Sequence, residues 1–321
     1  MIFEKQVIKM YKAMAYTRCD DNGTAFYFSA EDFPGLHKES YVFESSMGHK
    51  LQGYIYNYDD PQEGRLIVFD HGFGGGHRSY MKEIELLARH GYRVFAYDHT
   101  GCMESGGETP NGMSQSLHDL DDCIRAVKLD PQFAGTDISV VGHSWGGFST
   151  LNISALHPEI SKVVVMAGFV SVERLINSYF GGIMKLYRKA IMDLENKANP
   201  EYVNFDAACS LKKSKAKALL IYSDNDQRCH KDASYDVLKT ELEGRPDTEF
   251  MLVSGRDHNP NYTEDAVKYL GEYLADLAAK NKKKLLETKE QKDAFLASFD
   301  WDRMTMQDET VWETIFRFLD N

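Results

Sequence analysis

The sequence predicts an α/β fold: a mostly parallel central sheet with helices on both faces. Three observations lead there. From Arg65 onward, short apolar runs such as Leu66-Ile67-Val68-Phe69 and Lys162 to Met166 have the length and β-branched content of buried strands. Between them lie segments with apolar residues at helical spacing, such as Leu117, Leu120, Cys123, Ile124 and Val127, and that alternation implies a parallel sheet. At the centre stands Gly142-His143-Ser144-Trp145-Gly146-Gly147, a G-x-S-x-G turn between a strand and a helix.

The chain has 321 residues, enough for one large domain with insertions or two small ones. Apolar residues make up 43%, so a packed core is expected rather than disorder. The formal net charge of −12 argues against a nucleic-acid partner, which needs a basic face. The basic stretch Lys280 to Lys284 adjoins a helical pattern and reads as a solvated face. The five cysteines, Cys19, Cys102, Cys123, Cys209 and Cys229, are scattered without a CxxC, as expected for free thiols in a reducing compartment. Met1 to Val7 lacks a basic segment followed by an apolar one, and no apolar run is long enough to span a bilayer. These features lead us to expect a cytoplasmic protein without a signal peptide or membrane span, and the oligomeric state is left open.

In chain order, Phe3, Val7, Ile8, Tyr11 and Met14 give helical spacing over residues 1 to about 16, within an N-terminal helical extension of residues 1–40. Tyr41-Val42-Phe43 and Lys50 to Tyr58 read as an antiparallel pair. Strands are then expected at Leu66–Phe69, Arg93–Asp98, Ile138–Val141, Lys162–Met166, Ala218–Tyr222 and Glu249–Val253. Residues 41–169 and 216–280 form the core of the expected fold. Between Val170 and Lys215 no strand pattern occurs, only Leu175, Tyr179, Phe180, Ile183, Met184, Leu186, Tyr187 and Met192 at helical spacing. That segment exceeds ordinary connection lengths and reads as a helical cap, residues 170–215. Residues 281–321 read as a C-terminal helical extension packed on the core. There Thr305 with Asp308 suggests a capping box, and Val311, Trp312, Ile315, Phe316 and Leu319 make one apolar stripe.

The chemistry centres on Ser144. A serine in a strained strand-to-helix turn leaves no room for side chains two positions either side, where Gly142 and Gly146 stand. A serine nucleophile needs a base, and the base an orienting acid. Downstream, Leu219-Leu220-Ile221-Tyr222 runs into Ser223-Asp224-Asn225-Asp226, and Met251-Leu252-Val253 into Ser254-Gly255-Arg256-Asp257-His258. An acid and a histidine thus follow strands of the same sheet, on the edge where ligands bind in such folds. Metal is not expected, since there is no H-E-x-x-H and no paired Cys/His spacing. A dinucleotide reading of Gly72-Phe73-Gly74-Gly75-Gly76 fails at His77, where the third glycine should stand, and it leaves the Ser, Asp, His order unexplained. No cofactor is expected.

These residues together resemble the α/β-hydrolase superfamily, in the serine hydrolase branch of carboxylesterases, monoacylglycerol lipases, lysophospholipases and serine aminopeptidases. The likeness covers roughly Tyr41 to Ala278. His71-Gly72-Phe73-Gly74 resembles the family's oxyanion loop, and Asp98 to Ser105 its D-x-x-G-x-G-x-S loop, with Cys102-Met103 departing in detail. Ser223 to Asp226 matches G-x-x-D with Ser for Gly. The resemblance implies Ser144 as nucleophile, His258 as general base and Asp226 as the acid that fixes its tautomer. Asp224 remains a rival for the acid. It further implies that the backbone N–H groups of Phe73 and Trp145 form the oxyanion hole. His143 is expected to pack under the elbow, His71 and His99 to organise their loops, and His230 to be a cap or surface residue. Asp257 is expected in solvent or a local turn, and Cys102 and Cys229 in packing. The expected activity is hydrolysis of a small to medium apolar acyl ester, a small-molecule substrate, through an acyl-enzyme. Alternatives are a thioesterase, a serine aminopeptidase-like peptidase using a cap carboxylate (Glu173, Asp193, Glu195 or Glu201), and a catalytically silent ligand-binding protein of the same fold. A haloalkane dehalogenase is disfavoured by Ser at the nucleophile position.

Overall fold

The computed structural model describes residues 3–321, so the first two residues of the expected N-terminal extension lie outside the described residues. Eight strands form one sheet. In chain order they are β1 (His37–Glu44), β2 (Lys50–Asn57), β3 (Arg65–Asp70), β4 (Arg93–Tyr97), β5 (Asp137–His143), β6 (Lys162–Met166), β7 (Lys217–Ser223) and β8 (Thr248–Val253). Their spatial order is β1-β2-β4-β3-β5-β6-β7-β8, with β1 and β2 antiparallel and β3 to β8 parallel to one another. The chain steps outward from β3 to β4 and then returns past β3 to β5. The strand order therefore reverses at β3 and β5, whose carboxyl ends open the crevice where ligands bind in such sheets. β1 starts at His37, inside the segment expected to be the N-terminal extension.

Alternation along the strands divides the core into two layers. Leu66 and Val68 of β3 face one layer with α3 (Gln115–Leu129) and α4 (Ser144–Ile153). Ile67 and Phe69 face the other, with α2 (Met81–Arg89) and the C-terminal helix Glu309–Asp320. Val311, Trp312, Ile315, Phe318 and Leu319 of that helix are buried against this second face, so this helix is part of the core. Its cap differs from expectation. Asp308 itself is the N-cap and accepts from the Val311 N–H, while the Thr305 hydroxyl turns back to the Trp301 carbonyl. Asp308 is the better cap because its carboxylate also meets the positive end of the helix.

The segment between β6 and β7 is helical: α5 (Val172–Tyr179), a 3₁₀ turn at Gly182–Tyr187, α6 (Arg188–Ala198) and α7 (Ala207–Lys213). α7 packs against α4 in the sheet layer, while α5 and α6 pack on each other and bury Val172, Ile176 and Ile191 in the first layer of the core. The N-terminal helix α1 (Glu4–Ala15) buries Val7, Tyr11 and Ala15 on one stripe and packs on α6. Among the described residues no helix is long and apolar enough to cross a membrane.

Candidate active site

β5 ends at His143 and α4 begins at Ser144, which adopts a left-handed φ of 56°. Backbone strain of roughly 1–3 kcal/mol is tolerated there because the surroundings force the turn. A Cβ on Gly142 would lie 2.4 Å from the Gly146 carbonyl oxygen, and one on Gly146 would lie 2.0 Å from the Asp70 carbonyl oxygen. Both glycines are thus required by close backbone approach.

The structure brings Ser144, His258 and Asp226 into one chain of hydrogen bonds. His258 Nε2 lies 2.7 Å from Ser144 Oγ, and His258 Nδ1 lies 2.9 and 3.1 Å from the two carboxylate oxygens of Asp226. A carboxylate can only accept, so Nδ1 carries the proton and Nε2 is free to take the serine's. Asp226 also accepts the N–H groups of Arg228 and Cys229, at 2.7 and 2.9 Å. Burial pushes its carboxyl group up, but His258 and these amides outweigh burial and hold it below the usual carboxylate range. Asp224 is exposed and faces away, accepting from the Gly255 N–H (2.9 Å) and the Ser254 hydroxyl. Asp257 accepts the Gln227 N–H, and His230 Nε2 meets the Gln227 carbonyl, so neither reaches Ser144.

Behind these groups a neutral histidine joins two loops. His143 Nε2 donates to the carbonyl of His258 at 2.8 Å, and His143 Nδ1 accepts from the Tyr80 hydroxyl at 2.8 Å. That hydroxyl in turn accepts the Gly72 N–H at 3.1 Å. Burial, with the neighbouring His258, depresses the His143 imidazole to about 3, so it stays uncharged. His71 acts in a similar way. Its Nδ1 donates to the Gly72 carbonyl at 2.8 Å and its Nε2 accepts the His99 N–H at 3.0 Å. The Gly72–Phe73 peptide is trans, so pinning its C=O aims the Phe73 N–H the opposite way. Among the described residues neither the Phe73 N–H nor the Trp145 N–H, in the first turn of α4, has an acceptor.

His99 is fully buried between Asp119, 3.2 Å from Nδ1, and Asp70, 3.0 Å from Nε2. The Asp70 contact is off-axis for a hydrogen bond and acts as an ion pair. Burial lowers the imidazole, but the charges of Asp70 and Asp119 win and raise it to about 9. Asp98 accepts the N–H and Nδ1 of His77, each at 2.8 Å, and the Glu104 N–H at 3.1 Å. The Asp98–Ser105 loop is therefore structural, as are His71 and His99.

A cavity of about 410 Å³ opens over Ser144. Phe73 and Trp145, edge to face at 5.1 Å, form its floor with Phe169. Leu175, Ile176, Tyr179 and Phe180 of the α5 region form one wall, and Tyr11 and Met14 of α1 complete it. That role of α1 is not visible in the sequence, where its apolar stripe says only that it packs on something. Glu195 of α6 is buried, and it accepts from Tyr11 and Tyr16 (2.8 and 3.0 Å) and from the Met113 N–H (2.7 Å). Burial raises its carboxyl group. It holds α1 to α6 and does not line the cavity; nor do Glu173, Asp193 and Glu201. Among the described residues the one group arranged to hold a metal is Asp226, Cys229 and His258. Two of these already bind each other, and burial drives the Cys229 thiol far from ionising.

Comparison with known proteins agrees with this fold. The profile of the family described as serine aminopeptidase, S33 matches residues 61–243, more than half of the chain. A putative carbamate hydrolase, RutD, of Agrobacterium fabrum is 27% identical over 144 residues, 44% of this chain and 52% of that protein. The 2-hydroxy-6-oxo-6-(2'-aminophenyl)hexa-2,4-dienoic acid hydrolase of Metapseudomonas resinovorans is 31% identical over 143 residues, 41% of this chain and 47% of that one. The chain thus spans about half the length of these curated relatives. Among solved structures, the Pyrococcus furiosus esterase Pf2001 superposes with a TM-score of 0.59 at 16% identity, covering 84% of this chain and 98% of that one. An acetyl xylan esterase from Paenibacillus sp. R4 gives a TM-score of 0.54 at 19% identity over 80% of this chain and 88% of its own. At such identities the superpositions speak for the fold. With the family profile covering most of the sheet, the chain belongs to the serine aminopeptidase S33 family of hydrolases, within the α/β-hydrolase superfamily.

Proposed function

We propose that the protein is a serine hydrolase that cleaves a carboxylic ester through an acyl-enzyme. The observation that supports this most is the 2.7 Å contact between Ser144 Oγ and His258 Nε2, with Asp226 on the far nitrogen. In this reading Nε2 takes the serine proton as Oγ attacks the ester carbonyl. The negative charge that develops on the carbonyl oxygen is met by the N–H groups of Phe73 and Trp145. The imidazolium, stabilised by Asp226, returns the proton to the leaving alkoxide, and an alcohol departs. Water, deprotonated by the same nitrogen, then releases the carboxylic acid and restores Ser144.

The apolar cavity suits a small to medium acyl group, with α5, the 3₁₀ turn and α6 serving as a cap. The aminopeptidase and thioesterase readings share this machinery. A peptidase selecting a free amine would need a carboxylate near Ser144, and no carboxylate lines the cavity among the described residues. All five cysteines are free thiols, which fits a cytoplasmic setting. The test is turnover of p-nitrophenyl acetate, butyrate and octanoate by wild type and Ser144→Ala, beside matched thioesters and aminoacyl anilides. Ester turnover that vanishes in Ser144→Ala supports the reading. A preference for anilides would replace it with the peptidase.

A further inference from the structure

The cavity over Ser144 is apolar except at one edge. Among the described residues that line it, only Arg228 carries a formal charge. Arg228 lies two positions beyond Asp226, and its backbone N–H is held by that carboxylate at 2.7 Å. Its guanidinium has neither an ion pair nor a hydrogen bond among the described residues, although three carboxylates stand in the same two loops. Asp226 is committed to His258 and two backbone amides. Asp224 is committed to Ser254 and Gly255, and Asp257 to the Gln227 N–H. The folded chain, with a net charge of −12, thus leaves an exposed, unpaired guanidinium among the residues that line its active-site cavity. Arg228 lines the cavity together with Tyr179, Cys229 and Ser144.

From this arrangement we infer that Arg228 is a subsite for an anionic group of the substrate. The ester taken then has an apolar body and a carboxylate, or an equivalent oxyanion, on its acyl or its alcohol part. The inference rests on the esterase reading above and names the substrate class within it. A guanidinium presents a planar fork that matches a carboxylate, and such pairs gain strength where one side is apolar wall rather than water. A charged hydrogen bond of this kind is worth roughly tenfold or more in binding. An ammonium-bearing substrate would meet the same guanidinium, and no carboxylate lines the cavity among the described residues.

The experiment compares kcat/KM for matched ester pairs in wild type, Arg228→Ala, Arg228→Lys and Arg228→Glu, each verified as folded by its melting curve. One pair places the anion on the acyl side: the p-nitrophenyl hemiester of glutaric acid against p-nitrophenyl valerate. A second places it on the alcohol side: 4-acetoxybenzoate against phenyl acetate. The quantity read is the anionic-to-neutral ratio of kcat/KM. For one of the two pairs it should fall about tenfold in Arg228→Ala, less in Arg228→Lys and most in Arg228→Glu, mainly through KM, and it should shrink in wild type as salt rises. The pair that responds tells which side carries the anion. Ratios that stay level in all three variants, while wild type cleaves the neutral esters, overturn the anion subsite alone. Absence of any ester turnover by wild type overturns both readings.

Discussion

His143 Nε2 donates a 2.8 Å hydrogen bond to the carbonyl of His258, while the Tyr80 hydroxyl on its other nitrogen holds the Gly72 amide. One neutral imidazole therefore couples the loop carrying the base to the loop carrying the Phe73 amide. Tyr80→Phe removes the hydroxyl that serves both neighbours. It should lower kcat on a neutral p-nitrophenyl ester by on the order of tenfold, with little change in KM, because ground-state contacts to the acyl group are untouched. Steady-state kinetics check this, and an unchanged kcat would show the two loops to be held independently.

Asp224 and Asp226 are two residues apart at the end of β7, yet only Asp226 meets His258. Asp226→Asn should cost on the order of 10⁴ in kcat, since an amide can present its N–H₂ to Nδ1 and favour the wrong tautomer. Asp224→Asn should cost less than roughly tenfold, as it touches only Ser254 and Gly255. Parallel assays of the two variants decide between them.

Glu195 accepts three hydrogen bonds from groups far away in the chain. Glu195→Ala leaves the hydroxyls of Tyr11 and Tyr16 and the Met113 N–H without their partner, a loss of about 2 kcal/mol or more. Thermal melting should drop by several degrees. Loosened α1 should also raise KM for a long acyl ester more than for acetate, because Tyr11 and Met14 line the cavity. Equal KM changes for both would mean that α1 does not shape the acyl site.

Glu83, buried on α2, accepts from Asn261 at 3.0 Å, three residues beyond His258. Burial raises its carboxyl group from 4.5 to about 7. The folded state therefore holds the proton more tightly than the unfolded one, and stability falls as pH rises from about 4.5 to about 7, by roughly 3 kcal/mol in all. The raised His99 works in a higher window. Its pairing with Asp70 and Asp119 stabilises fully below about 6.5 and is lost as pH rises through about 9. Denaturant unfolding of Glu83→Gln at pH 5 and pH 8 should show its stability relative to wild type growing with pH. A constant difference would mean that Glu83 stays charged in the fold.

Much of this architecture is legible in the sequence because it is local. The parallel strands from Leu66 onward are short apolar runs bounded by turn residues, and the Ser144 turn advertises itself through Gly142 and Gly146. What escapes a linear reading is pairing at a distance. Tyr11 and Glu195 are 184 residues apart, and nothing in either neighbourhood names the other. The ends of some elements are likewise set by partners far away in the chain. β1 begins at His37 because it pairs along the whole of β2, and α7 returns to the sheet because its apolar face finds α4. Arg228 has no signal of its own in the sequence, since its interest lies in the carboxylates that turn away from it. The choice between Asp224 and Asp226 likewise depends on which way each side chain leaves the turn.

The most direct measurement is covalent. Treating the protein with a fluorophosphonate and mapping the adduct by peptide mass spectrometry should place a single phosphonyl group on Ser144. Labelling should be lost in Ser144→Ala and strongly slowed in a folded His258→Ala. An unlabelled Ser144 in active protein, or an adduct on another residue, would contradict a nucleophilic role for Ser144.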